Sequence, residues 1–91
     1  MTYILISVLC YQENIDFLGY DLGSQASVAT AEDCQVICQQ THQCRYWTFG
    51  HVGSAYVYSG KCFMKYTKGN VGPLPAVTSG ARNCSGKFII Q

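Results

Sequence analysis

Between Thr30 and Thr41 the small and apolar residues recur at intervals of three and four: Ala31, Cys34, Ile37, Cys38 and Thr41, with Glu32, Gln35, Gln39 and Gln40 between them. Such spacing makes one stripe along a helix whose other side faces water. Thr30 is suited to the N-cap, and Glu32 and Asp33 put negative charge in the first turn, where the backbone dipole favours it. One helix over about 31–40 is predicted. Elsewhere the pattern favours strands. Ile15 to Leu22 mixes β-favouring residues with Gly19 and reads as a strand with a bend or bulge at that glycine. Gly23 to Ala29 reads as a loop, and Arg45 to Phe49 as a short aromatic strand. Ala55–Tyr58 and Lys61–Tyr66 flank Ser59-Gly60, a two-residue hairpin signal. That turn would set Tyr58 opposite Lys61, Val57 opposite Cys62, Tyr56 opposite Phe63 and Ala55 opposite Met64. Alternation then gathers Tyr56, Tyr58, Lys61, Phe63 and Lys65 on one face, with Cys62 turned toward its disulfide partner. Lys68 to Pro75 reads as a glycine- and proline-bearing loop, Ala76 to Ser79 as the last strand, and Lys87 to Gln91 as an apolar tail. The fold class expected is α+β, one helix on an antiparallel sheet.

Composition narrows the object. With 91 residues there is room for one core. Charged residues make up only 12% of the chain, about half the usual ~25%, and seven tyrosines argue against a solvating, disordered tail. Arg45, Lys61, Lys65, Lys68, Arg82 and Lys87 are scattered, so no basic stripe exists to neutralise phosphates, and nucleic acid is not an expected partner. No run reaches the ~18 apolar residues of a membrane span. Met1 to Leu9 has the apolarity of a signal-peptide fragment but no basic n-region and no small-residue cleavage site. It reads better as linker or edge segment in a piece of a longer secreted chain.

Six cysteines, Cys10, Cys34, Cys38, Cys44, Cys62 and Cys84, are spread over almost the whole length. An even set in so short a chain suggests disulfide staples and an oxidising compartment. Six cysteines allow fifteen pairings, and spacing alone does not choose among them. A bond between Cys34 and Cys38, one helical turn apart, would pin nothing remote. Cys38 with Cys44 would fasten the exit of the helix, Cys34 would reach the sheet at Cys62, and Cys10 and Cys84 would join the ends. A rival zinc set of Cys34, Cys38, His42 and Cys44 lacks the tight ligand pairs of structural sites and leaves three cysteines unexplained. No metal is expected.

Cys10, Gly-Tyr-Asp-Leu at 19–22, Ala-Glu-Asp-Cys-Gln-Val-Ile-Cys at 31–38, Cys44-Arg-Tyr-Trp-Thr-Phe49, Gly60-Lys-Cys-Phe-Met-Lys65 and Ser79-Gly80 together resemble the PAN/Apple module. The resemblance is nearest to the tandem Apple repeats of apicomplexan microneme adhesins and more distant to those of plasma prekallikrein and coagulation factor XI. It implies an antiparallel sheet of about five strands with one helix across it, and the pairing Cys10–Cys84, Cys34–Cys62 and Cys38–Cys44. It also implies a domain over 10–84, with 1–9 and 85–91 as flanking linkers.

No catalytic constellation is present: no Gly-x-Ser-x-Gly, no His-Glu-x-x-His and no phosphate loop. Bridged cysteines would leave no free thiol for a Cys–His nucleophile. Neither an enzyme nor a cofactor is expected. The triplet Asn83-Cys84-Ser85 has the form of a glycosylation acceptor, with an expected half-cystine at its centre. Binding residues are sought among exposed aromatics beside cations. Tyr56, Tyr58, Lys61, Phe63 and Lys65 are the first candidates and Arg45 with Tyr46 the second, while Trp47 and Phe49 read as core. The resemblance implies a secreted adhesion module, stored in micronemes before release. Its partners would be other secreted adhesins, host-cell protein or glycan, and neighbouring Apple repeats. The alternative is a spacer repeat with no ligand of its own. Tyr3–Leu9 and Phe88–Ile90 are apolar and β-prone and are expected to fray or pair weakly in the isolated domain, with Ile4–Leu9 an edge strand only if Phe88–Ile90 pairs with it.

Overall fold

The computed structural model describes residues 5–6, 11–83 and 89–90. In chain order the elements are β1 (Leu5–Ile6), β2 (Gln12–Leu18), β3 (Asp21–Gln25), α1 (Ala31–Gln40), β4 (Tyr46–Gly50), β5 (Cys62–Lys65), β6 (Asn70–Ala81) and β7 (Ile89–Ile90). Five strands form one antiparallel sheet in the order β2-β6-β4-β5-β3, and β1 pairs with β7 through Leu5↔Ile90 and Ile6↔Ile89. Over those residues the two end segments pair with each other, the condition on which an edge strand there depends. The Cys10–Cys84 bridge, the rest of both end segments and Cys84-Ser85 of the glycosylation triplet lie outside the described residues.

The helix forms where its stripe places it. Thr30 is extended at the N-cap and its Oγ1 accepts from the Asp33 N–H at 3.1 Å. Cys34 and Cys38 are fully buried against the sheet. Cys34 is bonded to Cys62 on β5 and Cys38 to Cys44 in the loop leaving the helix, both with ordinary disulfide separations. The cysteines of the imagined zinc set are therefore consumed in disulfides. Of the seven described residues buried in the helix-side core, four are half-cystines and the others are Val28, Trp47 and Phe49. The sulfur staples are thus themselves core, which suits a chain this short. Gln35 departs from the expectation that it faces water. It is half-buried, accepts from the Tyr11 hydroxyl at 2.8 Å and donates to the carbonyls of Ala81 and Arg82.

Four further expectations are corrected. The stretch 55–60 is a run of tight turns, with Ser59 N–H bonded to Tyr56 O and Lys61 N–H to Tyr58 O, so no hairpin forms about Ser59-Gly60. β5 pairs instead with β4 and β3, because its Cys62 is tied to Cys34 and its ladder partners come from far along the chain. Val57 consequently does not face Cys62; it is 90% exposed. Residues 21–25, read largely as loop, form edge strand β3. Residues 70–75, also read as loop, are the first half of β6. The bulge expected at Gly19 falls at Asn14, while Gly19 and Tyr20, both with positive φ, make the turn between β2 and β3.

β6 is bent back sharply. Asn70 pairs with Leu18, and Ala81 is level with Tyr46, hence with Lys65 and Asp21. A straight strand would hold Asn70 and Ala81 ~36 Å apart. Yet Leu18 is joined to Asp21 by only Gly19 and Tyr20, a link that spans at most ~11 Å. The ladder breaks where Asn14 stands opposite residues 74–77, and both Asn14 (φ 58) and Ala76 (φ 60) take left-handed conformations. Asn14 Oδ1 accepts from the Ala76 N–H at 3.0 Å and holds the kink. Beyond it, residues 15–18 and 70–73 form a ribbon folded over the face of the sheet opposite the helix. Phe17 of the ribbon meets Tyr46 of the sheet edge-on at 5.5 Å. Both prolines, Pro73 and Pro75, lie in the part of β6 that has no second neighbour among the described strands, where a missing N–H is tolerated.

Candidate functional site

Alternation assigns the sheet's two faces. Cys62 and Met64 of β5, with Trp47 and Phe49 of β4, pack in the helix-side core. Thr48, Phe63 and Lys65 point the other way, under the ribbon. Between ribbon and sheet lies a cavity of about 220 Å³, lined by Asp16, Gly19, Asp21, Thr48, Tyr58, Phe63, Lys65, Leu74 and Val77. A cavity of ~150 Å³ can hold a benzene ring, so this one has room for one side chain or one sugar ring.

Lys65 is the unusual residue. Its side chain is 3% exposed, whereas Asp21, whose Oδ1 accepts from Nζ at 2.5 Å, is 46% exposed. Nζ also donates to the Gly19 carbonyl at 3.2 Å. A buried ammonium is tolerable only with such partners. Thr48, likewise buried, shares a hydrogen bond with Ser79 Oγ at 2.7 Å, and Ser79 Oγ donates to Ile15 O at 2.6 Å. At the mouth, Tyr58 donates to Pro75 O at 2.5 Å, joining the 51–60 loop to the kink of β6. Its hydroxyl is pushed above the ordinary tyrosine value by desolvation first, then by Tyr56 and the Asp16 carboxylate. Gly50 permits this closure, since a Cβ there would come within 1.9 Å of the Tyr58 carbonyl oxygen.

Of the residues expected on one hairpin face, Tyr58, Phe63 and Lys65 do converge, although as cavity wall rather than as open sheet surface. Lys65 is buried, not a free surface cation. Tyr56 stands outside the cavity with its ring stacked on Tyr58 at 5.1 Å, and Lys61 does not line the cavity. Arg45 lies apart in a shallow recess with Gln43 and Tyr66, and Tyr46 is spent on packing against Phe17. Sequence reasoning missed Asp16, Asp21, Thr48, Leu74 and Val77. A lysine on the same face as Phe63 of a cystine-bearing strand was the available signal for a carboxylate across from it. The identity of that carboxylate depended on the pairing of β3 with β5, and β3 from Gly23 onward reads as loop.

Arg82 was missed as well. Helix α1 has no basic residue in its last turn. Arg82, arriving from the end of β6, supplies the charge: Nη1 donates to the carbonyls of Cys38, Thr41 and Cys44 at 2.9, 3.0 and 2.7 Å, and Nη2 to Gln39 O at 2.5 Å. The guanidinium thereby satisfies carbonyls that the helix leaves open and complements its dipole.

A model of the PAN domain matches residues 15–65, running from β2 through β5. Among solved structures the fold is similar to the solution structure of a PAN module from Eimeria tenella. That similarity has 25% sequence identity and a TM-score of 0.58, and it covers 88% of this chain and 86% of that one. No curated protein matches the sequence.

Proposed function

The chain belongs to the PAN domain family, and on that premise we propose that it is an extracellular, non-enzymatic adhesion module. It acts as one repeat of a secreted protein of the microneme type, with residues 10–84 as the working domain and the flanking segments as links to neighbours. PAN modules are in general interaction domains of extracellular proteins without catalysis of their own, and the family membership favours the same role here. The observation that carries the reading is the cavity beneath the folded ribbon, where Asp16, Asp21, Tyr58, Phe63 and Lys65 meet beside the stacked Tyr56–Tyr58 pair. Charged groups beside aromatic faces are the usual equipment of a recognition site. Attachment to partner adhesins or to host-cell glycans during invasion is the use we assign to it.

The antiparallel pair Leu5↔Ile90 and Ile6↔Ile89 brings the two ends together, which favours a second reading: a bead in an array that spaces other repeats and binds nothing. The isolated domain, applied to a glycan array and used to capture partners from secreted material, separates the two. Specific capture that is lost on blocking the cavity supports the adhesion reading, and silence in both assays supports the spacer.

A further inference from the structure

The hydrogen-bond inventory of the cavity is lopsided. Ser79 Oγ spends its proton on the Ile15 carbonyl, which can only accept, so the proton between Thr48 and Ser79 must come from Thr48. Tyr58 spends its proton on the Pro75 carbonyl. Both hydroxyls therefore offer the cavity lone pairs alone. The Asp16 carboxylate forms no hydrogen bond or ion pair with the described residues, and Asp21 has one oxygen engaged by Lys65. Two of the three Lys65 protons go to Asp21 and Gly19 O. What remains is four acceptor groups facing a single uncommitted N–H. Formal charge points the same way: two carboxylates against one ammonium leave the cavity at −1.

We propose that the cavity takes a basic side chain, lysine or arginine, presented by a partner polypeptide. This rests on the reading of the cavity as the module's binding site and states what that site selects. An alkylammonium brings three donors and a guanidinium five, with no acceptor to be left unmatched. Anionic groups such as sulfate, phosphate or carboxylate meet a wall of lone pairs and like charge. Phe63 and Tyr58 line the cavity, with the Tyr56 ring stacked on Tyr58, and ring faces attract a cation and cover its aliphatic stem. The chain already uses this contact elsewhere: Lys68 Nζ lies 5.1 Å from the centre of the Phe17 ring. Asp16, unpaired and on the ribbon, is the residue that would hold the incoming charge.

The test titrates the ¹⁵N-labelled domain with acetyl-Gly-Lys-Gly-amide and acetyl-Gly-Arg-Gly-amide. Acetyl-Gly-Gln-Gly-amide, acetyl-Gly-Glu-Gly-amide and a set of neutral methyl glycosides run in parallel. Saturable shifts at Gly19, Asp21, Thr48 and Phe63 are expected with the two basic peptides only, weakening several-fold between low and high salt. Asp16→Asn should reduce the affinity about tenfold, and the salt response of the unmodified domain stands as the second measurement if that variant is poorly folded. Equal shifts from the glutamine peptide, stronger shifts from a neutral glycoside, or no salt response would each overturn the inference. Basic peptides that leave the cavity untouched while the domain still captures ligand on the array would defeat this inference and spare the adhesion reading. Silence in every arm, array included, would defeat both.

Discussion

The ion pair between Lys65 and Asp21 is unequal, and its two halves should fail unequally. Lys65 is 3% exposed and Asp21 46%. Asp21→Ala leaves an ammonium inside the protein with only the Gly19 carbonyl at 3.2 Å for support. Breaking a fully buried pair in this way costs about 3–5 kcal/mol. Half of this pair is already in water, which screens the attraction, so a loss of about 2–3 kcal/mol is expected. Lys65→Met removes the buried charge and keeps an unbranched apolar stem of similar length. The abandoned carboxylate turns to solvent, and the change should cost less than about 1 kcal/mol. The double variant should resemble Lys65→Met, since nothing charged is then left stranded. For a domain of this size ~1 kcal/mol moves Tm by about 4–8 °C, so the single aspartate variant should melt roughly 10–20 °C lower. Thermal and urea unfolding followed by circular dichroism, without reductant, measures all three. A Lys65→Met domain as unstable as Asp21→Ala, or a double variant less stable than either, would refute the claim that burial asymmetry governs the pair.

Other consequences follow from the same geometry. In the chain-entropy account, removing Cys34–Cys62 (sequence separation 28) should cost about 3.5 kcal/mol and removing Cys38–Cys44 (separation 6) about 2 kcal/mol; paired Cys→Ala variants compared by urea unfolding check the order. Arg82→Lys should lose most of what Arg82→Met loses, about 2–4 kcal/mol, because a single ammonium cannot reach four carbonyls in a fork. Amide exchange at 41–44 should rise in both variants. The hydroxyls of Tyr11 and Tyr58 both titrate above the ordinary tyrosine value of 10.0, Tyr11 through desolvation and then Glu32, Tyr58 through desolvation and then Tyr56 and Asp16. With folded values raised, their contribution is complete below pH 10 and disappears as pH climbs through the folded values. Unfolding midpoints should therefore fall above about pH 10, and Tyr11→Phe should flatten that fall; an unchanged alkaline slope would contradict the assignment.

Local chemistry decided the helix, its Thr30 cap, the cystine stripe and the aromatic core of β4, because each depends on residues within a turn or on strict alternation. Trp47 and Phe49 share one face of β4 and are buried against the helix, while Thr48 on the other face is buried as well, beneath the ribbon. Cys38–Cys44 was favoured by closeness along the chain, and Cys34–Cys62 by what a helix-borne thiol can reach. Strand partners were another matter. The local turn signal at Ser59-Gly60 lost to ladders formed with β3 and β4, whose combined hydrogen bonds and the Cys34 tether outweigh one favourable dipeptide. Residues 70–75 read as loop because prolines and glycine suppress strand propensity, yet they pair along a single side of β2 where those residues do no harm. Three of the cavity's lining residues, Tyr58, Phe63 and Lys65, were legible as neighbours on one face, but the cavity itself was not. Its walls come from positions 16, 19, 21, 48, 58, 63, 65, 74 and 77, brought together only when β6 folds back at Ala76 and the two-residue link from Leu18 to Asp21 draws the ribbon over the sheet. A bend of that kind is a property of the closed chain, set by distances between remote segments, and no window of neighbouring residues contains it.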